Sequence, residues 1–481
     1  MSSERLFPSI PSQWKVTTLG ELAKASGGDI QTGPFGSQLH AGDYVDDGIP
    51  SIMPKNISVD AVTTDDIARV SPEDVERLSK YKVQVGDIVY SRRGDVEKCA
   101  RITEKEDGWL CGTGCLRVRV KPESVSTEYL HAYLCHPTVR EWIVRHAVGA
   151  TMPNLNTSIL SALPVVIPSN AEMAIIASIW LTISDKIQLN HQINKTLEQM
   201  AQAIFKSWFV NFEPVKAKVA ALEAGGSEED ALLAAMQAIS GKSADGLVRL
   251  KAEQPEQYAE LRATAELFPS AMQDSELGVI PEGWSVSTFS EISDITMGQS
   301  PKGDTYNSDG DGMPLVNGPV EFGSHHPKKI KWTIAPTKSS QKNDLIVCVR
   351  GSTTGRFVKS DDVYCLGRGV CAIHAGECQP YLDRLFKSEL PKLLGLTTGS
   401  TFPSWSGAIL KGYQVLIPKK ELLSRYSSLF GPIDEGISAR VIESSNLASL
   451  RDTLLPKLLS GKLSVSDAEG QLEKAQATAD V

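Results

Sequence analysis

Residues 149–156 read Gly149-Ala-Thr-Met-Pro-Asn-Leu-Asn156, and residues 399–406 read Gly399-Ser-Thr-Phe-Pro-Ser-Trp-Ser406. Glycine, threonine and proline hold the same places in both, and a short polar side chain holds the sixth and eighth. The match continues outward in order. Trp14-Lys-Val-Thr-Thr-Leu-Gly-Glu-Leu22 pairs with Trp284-Ser-Val-Ser-Thr-Phe-Ser-Glu-Ile292, Gly86-Asp-Ile-Val-Tyr-Ser-Arg-Arg-Gly94 with Asn343-Asp-Leu-Ile-Val-Cys-Val-Arg-Gly351, and Val165-Val-Ile-Pro168 with Val415-Leu-Ile-Pro418. The spacing between partners falls from 270 residues at Trp14 and Trp284 to 250 at Gly149 and Gly399. A kept order with a drifting offset means shared framework pieces separated by loops of unequal length, so the chain reads as two sister halves.

Beyond Pro168 and Pro418 each half runs into a helical pattern. In the first, Ile176, Ile179, Ile183 and Ile187 recur every three or four residues, and Ile193, Leu197, Met200 and Ile204 continue the stripe towards Trp208. In the second, Ile433, Ile437, Val441, Leu447, Leu450, Leu454 and Leu458 do the same. This is helical period close to a heptad seam. Residues 172–207 hold no Pro or Gly, and a helix of that span is roughly 50 Å long. A single apolar stripe on so long a helix needs a partner, and its own repeat, packed antiparallel, is the obvious one. Gly431, Pro432 and Gly436 are expected to interrupt or delay the second helix. Asn190 and Asn194 fall near the seam, where they either fix its register or face water.

Each large half alternates short β-branched runs with Gly/Pro/Asp/Asn turns, as at Asp87–Tyr90, Leu116–Val120, Asp344–Val349 and Val370–Ile373. The expected fold class is α/β (α+β): two similar domains with small irregular sheets, separated by two long helices packed as an antiparallel coiled coil. The expected order is a first domain at 1–170, a long helix at 171–210 and an acidic connector with short helices at 211–280. A second domain at 281–420, a second long helix at 421–462 and an acidic tail at 463–481 follow. Within the connector, Ala231–Ile239 reads as a short helix with Ser227 as its N-cap.

Composition bounds the function. The chain has 481 residues, 22% of them charged and 41% hydrophobic, as in an ordinary soluble domain. Its start, Met1 to Pro11, lacks a secretory pattern, and its longest apolar stretch, Met173 to Ile183, falls short of the ~20 residues that span a bilayer. A cytoplasmic protein that does not enter membranes is expected. Eight cysteines are scattered without a C-x-x-C pair, so buried reduced thiols are expected rather than a zinc ribbon. His131, Cys135 and His136 are ligand-like types with no fourth partner in view, and no metal site is expected.

The net charge of −9 sits unevenly. Residues 14–170 carry 17 basic against 20 acidic side chains, residues 281–420 carry 16 against 13, and residues 211–280 carry 6 against 12. Much of the acid is in the connector, and neither domain is basic enough for strong non-specific binding to a polyanion.

Two sister domains held by a rigid helix pair form a calliper with pseudo-twofold symmetry, the geometry of proteins that read two half-sites on duplex DNA. Framework matches while intervening stretches differ, as between Gly33-Pro-Phe-Gly-Ser-Gln-Leu-His40 and Pro301-Lys-Gly-Asp-Thr-Tyr-Asn307, so the two half-sites are expected to be unlike. The candidate DNA contacts follow from the chemistry of each side chain. Arg92 and Arg93 lie at a loop tip before Gly94, with Lys98 and Arg101 close behind; Arg350 and Arg356 hold the similar place in the second half. A guanidinium there suits guanine or a phosphate. Lys328, Lys329 and Lys331, beside His325 and His326, are the densest basic cluster, and Ser37 and Gln38 lie in a Gly-rich loop where Gln suits adenine. The repeated Thr-x-Pro segments are expected to be framework, since domains reading different bases share them. Phe205, Trp208 and Phe209 are expected to pack.

Four segments carry a family resemblance. Leu189-Asn-His-Gln-Ile-Asn-Lys-Thr-Leu-Glu-Gln-Met-Ala-Gln-Ala-Ile-Phe-Lys-Ser-Trp-Phe209 resembles the central conserved helix of Type I restriction–modification specificity subunits, and Asn211-Phe-Glu-Pro-Val215 the segment leaving it. Asp274-Ser-Glu-Leu-Gly-Val-Ile-Pro-Glu-Gly-Trp284 is similar to the entry to the second target-recognition domain, and Leu454-Leu-Pro-Lys-Leu-Leu-Ser-Gly-Lys-Leu463 to the end of the C-terminal helix. The resemblance implies two target-recognition domains that read a bipartite, asymmetric site. It implies that the helix pair sets the spacer and docks two modification (methylase) subunits, through a set that includes Ile183, Ile187, Leu197, Met200, Ile204, Trp208, Ile437, Val441, Leu447 and Leu454. Restriction subunits join these. S-adenosylmethionine, ATP and Mg are implied in the partner subunits, with no cofactor and no catalytic residue in this chain. In keeping with that, there is no Asn/Asp-Pro-Pro-Tyr/Phe motif, and Gly241-Lys242-Ser243 fails as a Walker A because Met236 stands where its first Gly belongs. Two other readings keep the same observations: a recognition subunit of another DNA-modification or defence system, and a non-DNA scaffold of duplicated domains.

Overall fold

The structure, a computed structural model, describes residues 6–7, 10–58, 61–122, 125–149, 152–399 and 403–459. The expected tail at 463–481 lies outside them. The chain divides into two compact units, Met1–Asn190 with Glu443–Val481, and His191–Ile442.

In the first unit, Lys15–Thr18 pairs antiparallel with Pro164–Ile167 and closes the domain on itself. A four-stranded sheet follows in the order Asp29–Thr32, Cys115–Arg119, Ile88–Ser91, Cys99–Arg101. A second runs Tyr44–Val45, Ala68–Val70, Ile49–Ile52, Leu110–Cys111, its last pair parallel. Ile88-Val-Tyr-Ser91 is buried at every position, which is why it reads as a continuous apolar run rather than an alternating one. Helices Thr127–Leu134 and Pro137–His146 cover the sheet; Ser126 caps the first by accepting from the Tyr129 amide.

The second unit repeats this plan strand for strand. Ser285–Thr288 pairs with Gln414–Ile417. The larger sheet runs Asp294–Met297, Val370–His374, Leu345–Cys348, Phe357–Lys359, and the smaller Tyr306–Asn307, Trp332–Thr333, Met313–Val316, Cys365–Leu366, again ending on a parallel pair. The turn before the central strand is built alike, with Asp87 accepting from the Gln84 amide and Asp344 from the Gln341 amide. Helices Glu213–Glu223, Glu228–Ser240, Ala244–Glu253 and Pro255–Glu266 and the hairpin Met272–Ser275/Gly278–Pro281 precede this domain. Ser227 caps Glu228–Ser240 with a capping box.

The long helices are Asn170–Phe209 and Lys420–Leu459, 40 residues each. Within each unit they run antiparallel. In the first, Asn190 Nδ2 donates to Glu443 Oε2 at 2.7 Å and Ser444 Oγ at 3.3 Å, and the Arg451 guanidinium lies 4.5 Å over the Trp180 ring. In the second, Asn194 Nδ2 donates to the Ile437 carbonyl at 3.1 Å. Both asparagines are buried, so these two face the seam and not water. Ile183, Leu454 and Ile437 are buried, Ile187, Leu197, Ile204, Val441 and Leu447 are half-buried, and Met200 is 56% exposed, off the seam.

One expectation is corrected. Gly431, Pro432 and Gly436 do not interrupt the second helix; it runs unbroken through all three. Inside a helix proline lacks the N–H for one i→i−4 hydrogen bond, and it also crowds the Cβ and N–H of the residue before it. The residue before Pro432 is Gly431, which has no Cβ to crowd, so that part of the cost is absent here.

Trp208, Phe205 and Phe209 are buried against Tyr381 and Tyr426 in the second unit's core, which closes these rings to a docking partner.

A candidate nucleic-acid interface

At one end of each larger sheet four loops are tied together by backbone hydrogen bonds, and the ties are the same in both units. In the first, the Gly33 amide donates to the Cys115 carbonyl at 3.0 Å, Arg92 to Gly114 at 2.8 Å, Gly94 to Pro153 at 3.2 Å and Leu155 to Arg92 at 2.9 Å. In the second, Gly298 donates to Val370 at 3.0 Å, Val349 to Gly369 at 2.9 Å, Gly351 to Pro403 at 2.9 Å and Trp405 to Val349 at 3.0 Å. Loops meet this closely only because glycine stands at the crossing. A Cβ on Gly33 would lie 2.0 Å from the Gly112 carbonyl oxygen, and one on Gly298 would lie 2.1 Å from that of Gly367.

The repeated Thr-x-Pro segments are the pins of this cluster. Leu155 and Trp405 are buried below it, while Asn156 and Ser406 cap the short helices Thr157–Ala162 and Gly407–Lys411. Asn154 bridges Arg93 and Val148; Ser404 bridges Arg350 and Thr398. Thr151, Thr401 and Phe402 lie outside the described residues.

The cluster presents Arg93 and Arg350 at equivalent places. Both are exposed, and neither forms an ion pair among the described residues. Asp95, close in sequence to Arg93, is engaged with Lys98. Arg92 occupies the place of buried Val349. Its guanidinium lies 5.9 Å from the centre of the Phe35 ring, and its Nε is buried without a partner. Around it Phe35, Val148 and Met152 are exposed apolar side chains. Arg356, in the second unit, is exposed and unpaired among the described residues.

Other expected contacts are already engaged. Arg101 pairs with Glu128 at 3.1 Å, Lys98 with Asp95, Lys329 with Asp362 at 2.6 Å, and Lys331 lies 3.8 Å from Glu321. Gln38 uses its side-chain oxygen to accept from Tyr81 at 2.7 Å and from the Phe35 amide at 3.2 Å, which shapes the loop; Ser37 beside it is exposed. Lys328 is exposed with no ion pair among the described residues. Beside it, burial, with His326 next, pushes His325 down to about 4, and His326 bridges the Lys359 carbonyl and Ser438.

One residue was not singled out from sequence. Arg368, exposed, sits in the Gly367-Arg-Gly369 turn, whose first glycine packs on Asn317 and whose last accepts from Val349. It therefore belongs to the same loop cluster as Arg350. The signal was its alignment with Gly112-Thr-Gly114, the same Gly-x-Gly spacing with a neutral centre. An exposed guanidinium on a rigid loop, free of carboxylates, can take two acceptors of a guanine edge or a phosphate.

The family model of the Type I restriction modification DNA specificity domain matches residues 11–199 and again 281–423. The Type I restriction enzyme HindI specificity subunit of Haemophilus influenzae is 30% identical over 413 residues, 81% of this chain and 89% of that one. The putative Type I restriction enzyme MjaX specificity subunit of Methanocaldococcus jannaschii is 23% identical over 469 residues, 95% of each chain. Among solved structures, the Type I restriction–modification S subunit from M. genitalium shares the fold at a TM-score of 0.50, with 15% identity over 95% of this chain and 98% of that one.

Proposed function

Because the chain belongs to the Type I restriction–modification DNA specificity family, we propose that it reads a bipartite, asymmetric duplex site, one half through each glycine-tied loop cluster. It is a DNA sequence-specificity subunit that assembles with other restriction–modification subunits, and catalysis lies in those partners. The observation that carries the two-half reading is the duplicated cluster. The backbone ties are held in common, whereas the side chains at equivalent tips differ: Thr113 against Arg368, Arg92 against Val349. A shared frame with unlike tips suits two unlike half-sites.

In this reading Arg93 and Arg350 make the principal contacts, with Arg92, Arg356, Arg368, Lys328 and Ser37 around them. Lys98, Arg101, Gln38, Lys329 and Lys331 contribute less because acids or loop bonds hold them. The long helices set the unread spacer and dock two modification subunits, and restriction subunits join these. Mapping methylated adenines in DNA exposed to the assembled complex tests this. A split motif with a fixed gap is the expected result. A continuous motif, or methyl transfer by the isolated chain, overturns it.

A further inference from the structure

Cys99, His131 and Cys135 converge in the core of the first unit. Their donor atoms all lie within 4.8 Å of one another, and all three residues are buried. Cys99 comes from the strand Cys99–Arg101, while His131 and Cys135 stand one helical turn apart on and just beyond Thr127–Leu134. The Sγ atoms of Cys99 and Cys135 are 3.7 Å apart, and Cys135 Sγ is 3.5 Å from His131 Nε2. A zinc ion with bonds of about 2.3 Å to sulfur and about 2.0 Å to nitrogen, in tetrahedral geometry, sets such edges at roughly 3.7 Å and 3.5 Å. A fourth group is at hand. The Tyr90 side chain is wholly buried, Tyr90 pairs across the sheet with Cys99, and its hydroxyl has no hydrogen-bond partner among the described residues.

We propose that Cys99, His131 and Cys135, completed by the Tyr90 hydroxyl, form a structural zinc site in the first recognition domain. Binding releases the two thiol protons, and the resulting dication, two thiolates and neutral imidazole sum to zero charge, the arrangement a dry core tolerates. His136 is not part of the site. It caps the helix Pro137–His146 by accepting from the Thr138 amide, and its ring lies edge-on to Phe7.

The second domain shows that the fold does not require this cluster. Its strand pairing and the equivalent hydroxyl-to-carbonyl bonds of Tyr129 and Tyr381 place Val347, Phe357, Asp383 and Lys387 where Tyr90, Cys99, His131 and Cys135 stand. There the strand–helix contact carries a Lys359–Asp383 ion pair instead. Three soft donors have therefore gathered in one domain at positions the framework leaves open. The ion would staple the Ile88–Ser91/Cys99–Arg101 hairpin, which carries Arg92 and Arg93 at its tip, to the helix behind it.

The test is metal analysis of the full-length chain, purified with its partner subunits from zinc-supplemented cells. About one zinc per chain is expected, with near-complete loss in Cys99→Ser and Cys135→Ser and retention in Cys371→Ser, a buried thiol outside the cluster. Protein grown on cobalt should show thiolate-to-metal absorption in the near ultraviolet, which decides the matter even where a serine variant fails to fold. Metal-free protein with eight reduced thiols on unfolding would overturn the proposal, as would six thiols and a Cys99–Cys135 disulfide.

Discussion

Alanine substitutions at Arg93 and Arg350, made one at a time, separate recognition from folding. Both side chains are exposed and no carboxylate among the described residues holds them, so removal strands no buried charge. Stability should move by less than ~0.5 kcal/mol. A guanidinium paired with a guanine edge is worth ~1–3 kcal/mol, which is roughly 5- to 150-fold in Kd, concentrated at one base position. A phosphate contact would instead weaken every sequence alike and flatten the slope of log affinity against log salt by about 0.9. Fluorescence anisotropy with the assembled complex, on duplexes with each half-site scrambled in turn, reads both quantities. Arg93→Ala should lose discrimination at one half-site and Arg350→Ala at the other. Arg101→Ala and Lys329→Ala, whose cations are paired with Glu128 and Asp362, should stay within about twofold of the parent. Unchanged binding by the first two variants at every salt, with tenfold losses in the second two, would refute the loop-cluster reading.

Three further outcomes are expected. Inserting a heptad in each long helix, between Asn190 and Asn194 and between Ile437 and Glu443, adds about 10 Å of helix. It should lengthen the tolerated spacer by roughly three base pairs without altering either half-site; methylation mapping would show an unchanged gap if the helices are not the ruler. Arg384 is buried and grips Asp434 through both its Nη atoms, at 2.6 and 2.9 Å. Arg384→Ala should cost ~3–5 kcal/mol, whereas the double change Arg384→Met with Asp434→Leu should be nearly neutral; urea melts measure both. Burial holds His136 at about 4, below its ordinary 6.5, so the folded state resists its protonation. Its contribution is complete above pH 6.5 and lost as pH falls towards 4, by up to ~3 kcal/mol. Denaturation midpoints of His136→Gln should flatten over that window, and an unchanged pH profile would rule this out.

Duplication made most of the fold legible, because a repeated Thr-x-Pro segment and a persistent apolar stripe survive divergence of the loops between them. The same stripe misplaced Met200. A straight helix drifts about 20° per heptad from a strict seam, and at this turn the buried face runs through Ala201 and Phe205, which leaves Met200 in solvent. Pro432 was read as a break because the rule was applied without its neighbour; Gly431, with no Cβ, removes one part of the crowding that proline imposes. At the site, charge type was visible and pairing was not. Nothing in Lys329 or Arg101 as letters tells that Asp362 or Glu128 has taken them, and Arg368 hid in what reads as a mere turn. Cys99 lies 32 residues before His131, so its meeting with that helix is a product of tertiary folding alone.

In both loop clusters the shared fastenings run between main-chain amides and carbonyls, and the hydroxyls of Ser91, Ser300 and Thr354 add to them. On the proposed reading, a substitution at a tip changes the letter that is read while the shared main-chain ties remain. Target preference can then drift by single replacements at the tips. In a lineage under pressure to vary what it marks as its own, that independence makes novelty cheap.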